Sequence, residues 1–256
     1  MANGYRDVND FKTQNGYEID GAWYPRVTRI VSIKSKPGLM NFYREVGGEA
    51  NGRAIANRSA GEGTLVHEAA EAILLGREPV VDPQIAPAIA AFRRFIEKTN
   101  IHTLPEYVER RICHAEHRYA GTVDALAEID GKFGVLDIKT SLAIYRDYNL
   151  QTAAYVDALA SQFENLTTRW ILRIDQQQSC ERCGASLRTK GGREKVREVF
   201  ASFIPSCDAH VWGPAVGQIE FQEFPSWQKD FEGFLGAKKL WEWENQDWLT
   251  KAGYLG

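Results

Sequence analysis

The sequence predicts an α/β fold on three observations. Two alternating runs, GTVDALAEI (121–129) and FGVLDIKT (133–140), flank Asp130-Gly131. An Asp-Gly pair between such runs is the strongest short-range hairpin signal, because a type I′ turn needs positive φ at both central residues. Helical patterning frames the hairpin: TLVHEAAEAILLG (64–76) aligns Leu65, Val66, Ala69, Ala70 and Ile73 on one stripe, and NLQTAAYVDALASQF (149–163) follows it. Further on, TTRWILRID (167–175) and VGQIEFQEF (216–224) return to strand-type composition and alternation.

Residues 1–25 are polar and mixed, with Tyr17, Trp23 and Tyr24 the large anchors, and predict irregular structure. VTRIVSI (27–33) suits a short strand or a helix start. Pro37 opens a helix ending near Gly47-Gly48. The glycines of SAGEGT (59–64) predict a loop leading into the helix at 64–76, which Gly76 stops. A third helix covers 83–98, with Pro87 marking a kink or a later start. YVERRICHAEHRY (107–119) reads as a strand carrying a turn, the neighbour of the central hairpin, and 141–147 as a connection. Ser226 caps a final helix, residues 226–245, that packs on the core. Its Trp227, Phe231, Phe234 and Trp241 have the spacing of packing residues rather than of a base-stacking platform. No internal repeat is visible. The reading is one domain over residues 1–256, with 176–215 inserted between two strands.

Composition bounds the function. The chain has 256 residues, 44% hydrophobic and 25% charged, as ordinary globular proteins do. No apolar run approaches the roughly 20 residues of a membrane span, and the N-terminus lacks a secretory layout, so a cytoplasmic protein without membrane contact is expected. A net charge of -3 gives no global support for nucleic-acid binding, although local patches and bound cations can still meet phosphates. Four cysteines are too few for a disulfide scaffold of this length.

The chemistry concentrates on the hairpin. Counting outward from a two-residue turn, Ile129 pairs with Lys132 and Asp124 falls opposite Asp137. Directly opposed residues have Cβ atoms about 4.5–5.5 Å apart. Two carboxylates that close repel unless one is protonated or a cation lies between them. Lys139, two residues past Asp137, shares its face. Carboxylates with open positions suit Mg²⁺ or Mn²⁺, and a lysine beside the attacking water can orient it, take its proton or neutralise phosphate charge. The set fits phosphodiester hydrolysis; the competing reading is a solvated ion-pair cluster. His67 and Glu71, and likewise Gln151 and Tyr155, are i, i+4 helix neighbours.

His67, Gly121-Thr122-Val123-Asp124, Asp137-Ile138-Lys139-Thr140 and Gln151-Thr-Ala-Ala-Tyr155, in that order, resemble the motifs of RecB-type nucleases of the PD-(D/E)xK superfamily, similar to small phage and mitochondrial genome-maintenance exonucleases. The resemblance spans about residues 27–175 and departs from the superfamily pattern only in Val123, where many members carry proline. It implies a mixed central sheet flanked by helices, a restriction-endonuclease-like core. It also implies metal ligation by His67, Asp124, Asp137 and the backbone carbonyl of Ile138. Lys139 would serve the nucleophilic water, and Gln151 and Tyr155 would line the wall. The activity implied is Mg²⁺- or Mn²⁺-dependent DNA cleavage, exonucleolytic, in phage or bacterial recombination or repair. No helicase motif is present, so unwinding would come from a partner. The alternatives are a structure-specific or restriction-type endonuclease, and a zinc-bearing DNA-binding protein with an inactive site.

Within 176–215, Cys180-x-x-Cys183 and Cys207-x-x-His210 have zinc-knuckle spacing, and Gly184 suits the tight turn. A structural Zn²⁺ would staple an insertion too polar for its own core. Cys113 stands alone on a strand. Between the ligand pairs lie Arg188, Lys190, Arg193, Lys195 and Arg197 around a Gly191-Gly192 tip, either a clamp on the DNA backbone or a solvated hairpin.

Overall fold

The computed structural model describes residues 4–34, 37–199 and 207–255. The chain opens with α1 (Val8–Asn15), whose N-cap Asp7 accepts from the Asp10 N–H, and a hairpin of β1 (Gly16–Ile19) and β2 (Ala22–Pro25). This corrects the expectation of irregular structure up to residue 25. Asp20 and Gly21 turn the hairpin at φ of 50° and 77°, as Asp130 and Gly131 do at 50° and 77° in the central one. The same signal was therefore present twice. Phe11 and Trp23 anchor this segment in the core.

The stretch after residue 26 forms α2 (Val27–Val31), and α3 follows (Pro37–Glu45). Residues 59–64 do not form a loop. They lie inside α4 (Glu49–Leu74), a continuous helix of 26 residues. Its glycines serve close approach instead: a Cβ on Gly63 would sit 2.9 Å from the Thr140 hydroxyl oxygen. After one 3₁₀ turn at Pro83–Ile85, α5 (Ala86–Lys98) begins, so Pro87 marks the later start rather than a kink.

The remaining elements are β3 (Ile101–His102), β4 (Val108–His114), β5 (Tyr119–Ile129), β6 (Lys132–Lys139), α6 (Asp147–Ala160), β7 (Leu166–Ser179), β8 (Ser186–Lys190), β9 (Arg193–Arg197), β10 (Val216–Glu223), α7 (Gln228–Glu244) and α8 (Gln246–Lys251). Ser226 does not cap α7. Trp227 occupies the cap position, and its N–H donates to the Gln228 side chain. Phe231, Phe234 and Trp241 of α7 are buried, whereas Trp243 is exposed.

The fold is α/β with a mixed central sheet flanked by helices. Antiparallel β4–β5 and β5–β6 ladders meet a parallel β6–β7 ladder, joined through the α6 crossover. β10 and β8 pair antiparallel with successive parts of β7. On one face Val66, Ala69, Ile89 and Phe92 of α4 and α5 pack on Leu136, Ile138, Trp170 and Leu172. On the other, Ala154, Leu159, Phe231 and Phe234 of α6 and α7 pack on Val123, Leu126 and Val135. Arg169, fully buried in β7, ion-pairs with Asp230 of α7 and fastens that layer to the sheet. No helix among the described residues is long and apolar enough to cross a membrane.

Candidate active site

The hairpin register is Ile129↔Lys132 outward to Ala125↔Leu136, where the β5–β6 ladder ends. Beyond it β5 stays with β4 while β6 stays with β7, and the sheet forks. Asp124 and Asp137 are the next residues on the two prongs. The Asp124 Oδ2 accepts from the Ile138 N–H at 2.6 Å, filling the place of the lost ladder bond. The N–H and C=O of one strand residue point the same way, so the Ile138 carbonyl opens into the same gap.

Both helix layers reach a fork. From α4, His67 places Nδ1 3.9 Å from Asp124 Oδ1. From α6, Gln151 Nε2 donates to Asp137 Oδ1 at 3.1 Å and to the Tyr155 hydroxyl oxygen at 3.0 Å, leaving the phenol O–H free to donate. Lys139 Nζ lies 2.5 Å from Asp137 Oδ2 and 5.0 Å from the centre of the Tyr148 ring. The structure thus brings His67, Asp124, Asp137, Ile138, Lys139, Gln151 and Tyr155 to one point. It sits beside an open cavity of 460 Å³ lined by Gly63, Thr64, His67, Glu68, Glu71, Glu109 and Thr140.

Burial dominates the electrostatics. Asp137 is 1% exposed, and burial with the nearby Asp124 charge raises its carboxyl to about 6 against the pull of Lys139. Desolvation raises Asp124 as well, opposed by Lys139 and the Ile138 N–H. Burial alone would lower Lys139, but Asp137 and Asp124 hold it above its ordinary value, so it is an ammonium here. His67 falls to about 4 through burial and the Lys139 charge, with Lys190 adding to the effect, and is a neutral imidazole at neutral pH. One buried and one half-buried carboxylate, a neutral imidazole and an open carbonyl form a donor set that fits a hard divalent cation. Asp137 Oδ2 strengthens the fit, being buried with the Lys139 ammonium as its sole partner among the described residues.

Glu109 is absent from the sequence expectations. The β4–β5 register pairs Val108 with Ala125 and Arg110 with Val123, which sets Glu109 opposite Asp124. Glu109, Asp124 and Asp137 therefore follow one another across three strands. Glu109 has φ of 49°, a conformation non-glycine residues seldom adopt. Although the Glu109 side chain is exposed, partial desolvation with the Asp124 and Glu71 charges raises its carboxyl to about 7. Its only sequence signal was an acidic residue in a strand, and the strand's register was not readable. A carboxyl raised in the fold gives stability below its unfolded value near 4.5, which is lost as pH rises through about 7. In divalent-free buffer, Glu109→Gln should therefore melt above the wild type at pH 8 and level with it near pH 4.5. An equal gap at both pH values would contradict this.

In the insertion, the ligand atoms of Cys180, Cys183, Cys207 and His210 lie within 4.8 Å of one another. Cys180 and Cys207 sulfurs are 3.9 Å apart, and Cys183 Sγ is 3.5 Å from His210 Nδ1. Tetrahedral zinc at about 2.3 Å from sulfur needs ligands roughly this far apart. Gly184, at φ of 72°, donates back to the Cys180 carbonyl to close the knuckle. Against the upward push of burial, the N–H groups of Cys183 and Arg182 draw the Cys180 thiol down to about 6. The cluster suits a metal such as zinc. Residues 200–206, part of the expected insertion, lie outside the described residues.

The basic residues divide. Arg188 donates to Asp175 Oδ2 at 2.6 Å and to the Thr140 carbonyl at 3.2 Å, Lys190 donates to that same carbonyl, and Arg193 pairs with Glu45 at 2.6 Å. Lys195 and Arg197 are exposed. A further group, His114, His117 and Asp157, is clustered. There His114 Nε2 faces Asp157 at 3.0 Å and Nδ1 accepts the His117 N–H at 3.1 Å, so both ring nitrogens are engaged in a clasp between β4 and α6. Cys113 is a free cysteine.

No family model matches the chain, and no curated protein matches it.

Proposed function

We propose that this protein is a divalent-metal-dependent DNA nuclease of the RecB-like type. The observation that carries the reading is the fork of β5 and β6. It sets half-buried Asp124 beside fully buried Asp137, which pairs with Lys139, next to a neutral imidazole and an open cavity. Neighbouring carboxylates withdrawn from water are costly without a cation, which supports the reading that this pair holds one.

His67, Asp124, Asp137 and the Ile138 carbonyl would hold Mg²⁺ or Mn²⁺, which would supply Lewis-acid activation of water and charge neutralisation on the phosphate. The chain's own groups do the rest. Gln151 fixes the orientation of Asp137 through Oδ1 and leaves Oδ2 to Lys139. Lys139, as an ammonium, donates to the attacking water or to a phosphate oxygen. The Tyr155 O–H remains protonated, because burial raises it well above its ordinary value, and is available to a phosphate oxygen. Action from a DNA end, within recombination or repair, follows from the resemblance alone.

The test is cleavage of end-labelled linear double- and single-stranded DNA with Mg²⁺, with Mn²⁺ and without divalent cation. Metal-dependent loss of label is the expected result. Cutting of closed circular DNA would turn the reading to an endonuclease. DNA retained without turnover under either metal would leave a DNA-binding protein instead.

A further inference from the structure

The hairpin β8–β9 is docked against the catalytic centre rather than free in solvent. Its tip is pressed onto α4: the Gly191 N–H donates to Glu62 Oε1 at 2.9 Å and its carbonyl accepts from Arg58 Nε at 2.9 Å. A Cβ on Gly191 would lie 2.2 Å from Ser59 Oγ and 2.5 Å from the Ile55 carbonyl oxygen, so only glycine allows this approach. At the hairpin's other end, β8 pairs with β7 at Gln178 and Ser179, immediately before Cys180 of the Cys₃His cluster. The hairpin is thus held at one end by α4 and at the other by the metal-binding knuckle.

Between these anchors, Lys190 and Arg188 converge on one carbonyl, that of Thr140, which follows Lys139 and lines the cavity with His67. Their situations differ. Arg188 is also held by Asp175, whereas among the described residues Lys190 Nζ donates only to the Thr140 carbonyl. An ammonium has three N–H donors, so Lys190, half-buried behind Thr140 in an adjoining pocket that it lines with Glu62 and Asp175, has two left to offer. Its charge is felt at His67. An uncommitted cation fixed next to a catalytic centre for phosphodiesters has the chemistry of a phosphate-binding group.

We propose that Lys190 is a substrate-phosphate-binding residue of the active site, delivered there by the metal-held hairpin, so that occupancy of the Cys₃His cluster controls DNA binding at the catalytic centre. This rests on the nuclease reading. Arg188 is a positioning residue that fixes the hairpin to Asp175 and Thr140. The ligand class is the DNA backbone next to the scissile phosphate, contacted without regard to base.

The test uses the full chain and two readouts: fluorescence anisotropy of labelled DNA in Ca²⁺, and KM and kcat for cleavage in Mg²⁺. Lys190→Ala is expected to weaken binding and raise KM about ten- to a hundredfold, the range of one charged hydrogen bond. Lys190→Arg should restore most of it, and Lys239→Ala on α7 should change little. Cys207→Ser should reproduce the Lys190→Ala loss, and the double variant should be no worse than either single, because both remove one interaction. Wild-type cleavage with Lys190→Ala indistinguishable from wild type overturns the inference and leaves the nuclease standing. Additive losses in the double variant overturn the link between the metal and Lys190. Wild-type protein inert toward DNA sinks both readings together. Melting curves identify any variant that fails to fold, and for such a variant Lys190→Gln replaces alanine.

Discussion

Lys139→Ala is expected to lose DNA cleavage by about 10²–10⁴-fold, the range for removing a positioned proton donor or acceptor. The same change should destabilise the protein when no divalent cation is present. Lys139 is the ammonium paired with buried Asp137, 2.5 Å from its Oδ2, with half-buried Asp124 nearby. Breaking a buried ion pair by deleting one partner costs roughly 3–5 kcal/mol, because the remaining charge is left uncompensated. Added Mg²⁺ should restore much of that stability while leaving cleavage absent. Lys139→Arg separates the two roles: it keeps the positive charge, and so the stability, but not the lysine's point-charge geometry. Thermal melts with and without Mg²⁺, alongside cleavage rates, read both effects. A Lys139→Ala protein that cleaves normally would remove Lys139 from the chemistry. One that melts like the wild type in metal-free buffer would mean the carboxylates do not need it.

The second large effect concerns the knuckle. Purified protein should carry one zinc per chain by elemental analysis, and Cys183→Ser or Cys207→Ser should lose it. Backbone bonds in the knuckle are few among the described residues: Cys180 to Ala185, Gly184 to Cys180, Glu181 to Val211 and Gly213 to Ser179. A structural zinc contributes an apparent ~10–16 kcal/mol in zinc-finger peptides, far more than such bonds supply. Its loss should make residues 180–215 sensitive to limited proteolysis. The sheet core should stay intact, because its buried residues lie outside the insertion, from Phe11 to Ile174 and from Phe231 to Tyr254. A zinc-free protein whose insertion resists protease as well as the wild type would show that the cluster needs no metal.

Much of this molecule is written locally. The Asp130-Gly131 turn set the hairpin register from Ile129↔Lys132 outward, since a two-residue turn leaves no freedom in the count. Asp124 and Asp137 met for that reason. Each half of the knuckle was legible in the same way, because ligands three positions apart share one turn, whereas the meeting of the two halves, 27 positions apart, belongs to the fold. The Asp20-Gly21 hairpin carries an identical turn signal, but its flanking strands of four residues each are too short to display a clear alternation.

Other features depended on contacts between distant segments. The glycines at 59–64 looked like a loop, yet α4 runs through them because Gly63 lets the helix close on Thr140 and Gly191 lets the hairpin close on α4. Glu109 joins the carboxylate row only through the β4–β5 register, set across a turn at 115–118 with no turn-specific residues. The basic hairpin read as either a clamp or a solvated tip. Its fate was decided by Asp175, Thr140, Glu62 and Glu45, each more than ten residues away in sequence, which bind three of its five cations and the tip itself. Period and turn chemistry are properties of a few neighbouring residues, so a sequence displays them. Which cations of the hairpin are held near the Asp137 cluster and which stay in solvent depends on which acids and carbonyls the folded chain brings beside them, and only the tertiary structure decides that.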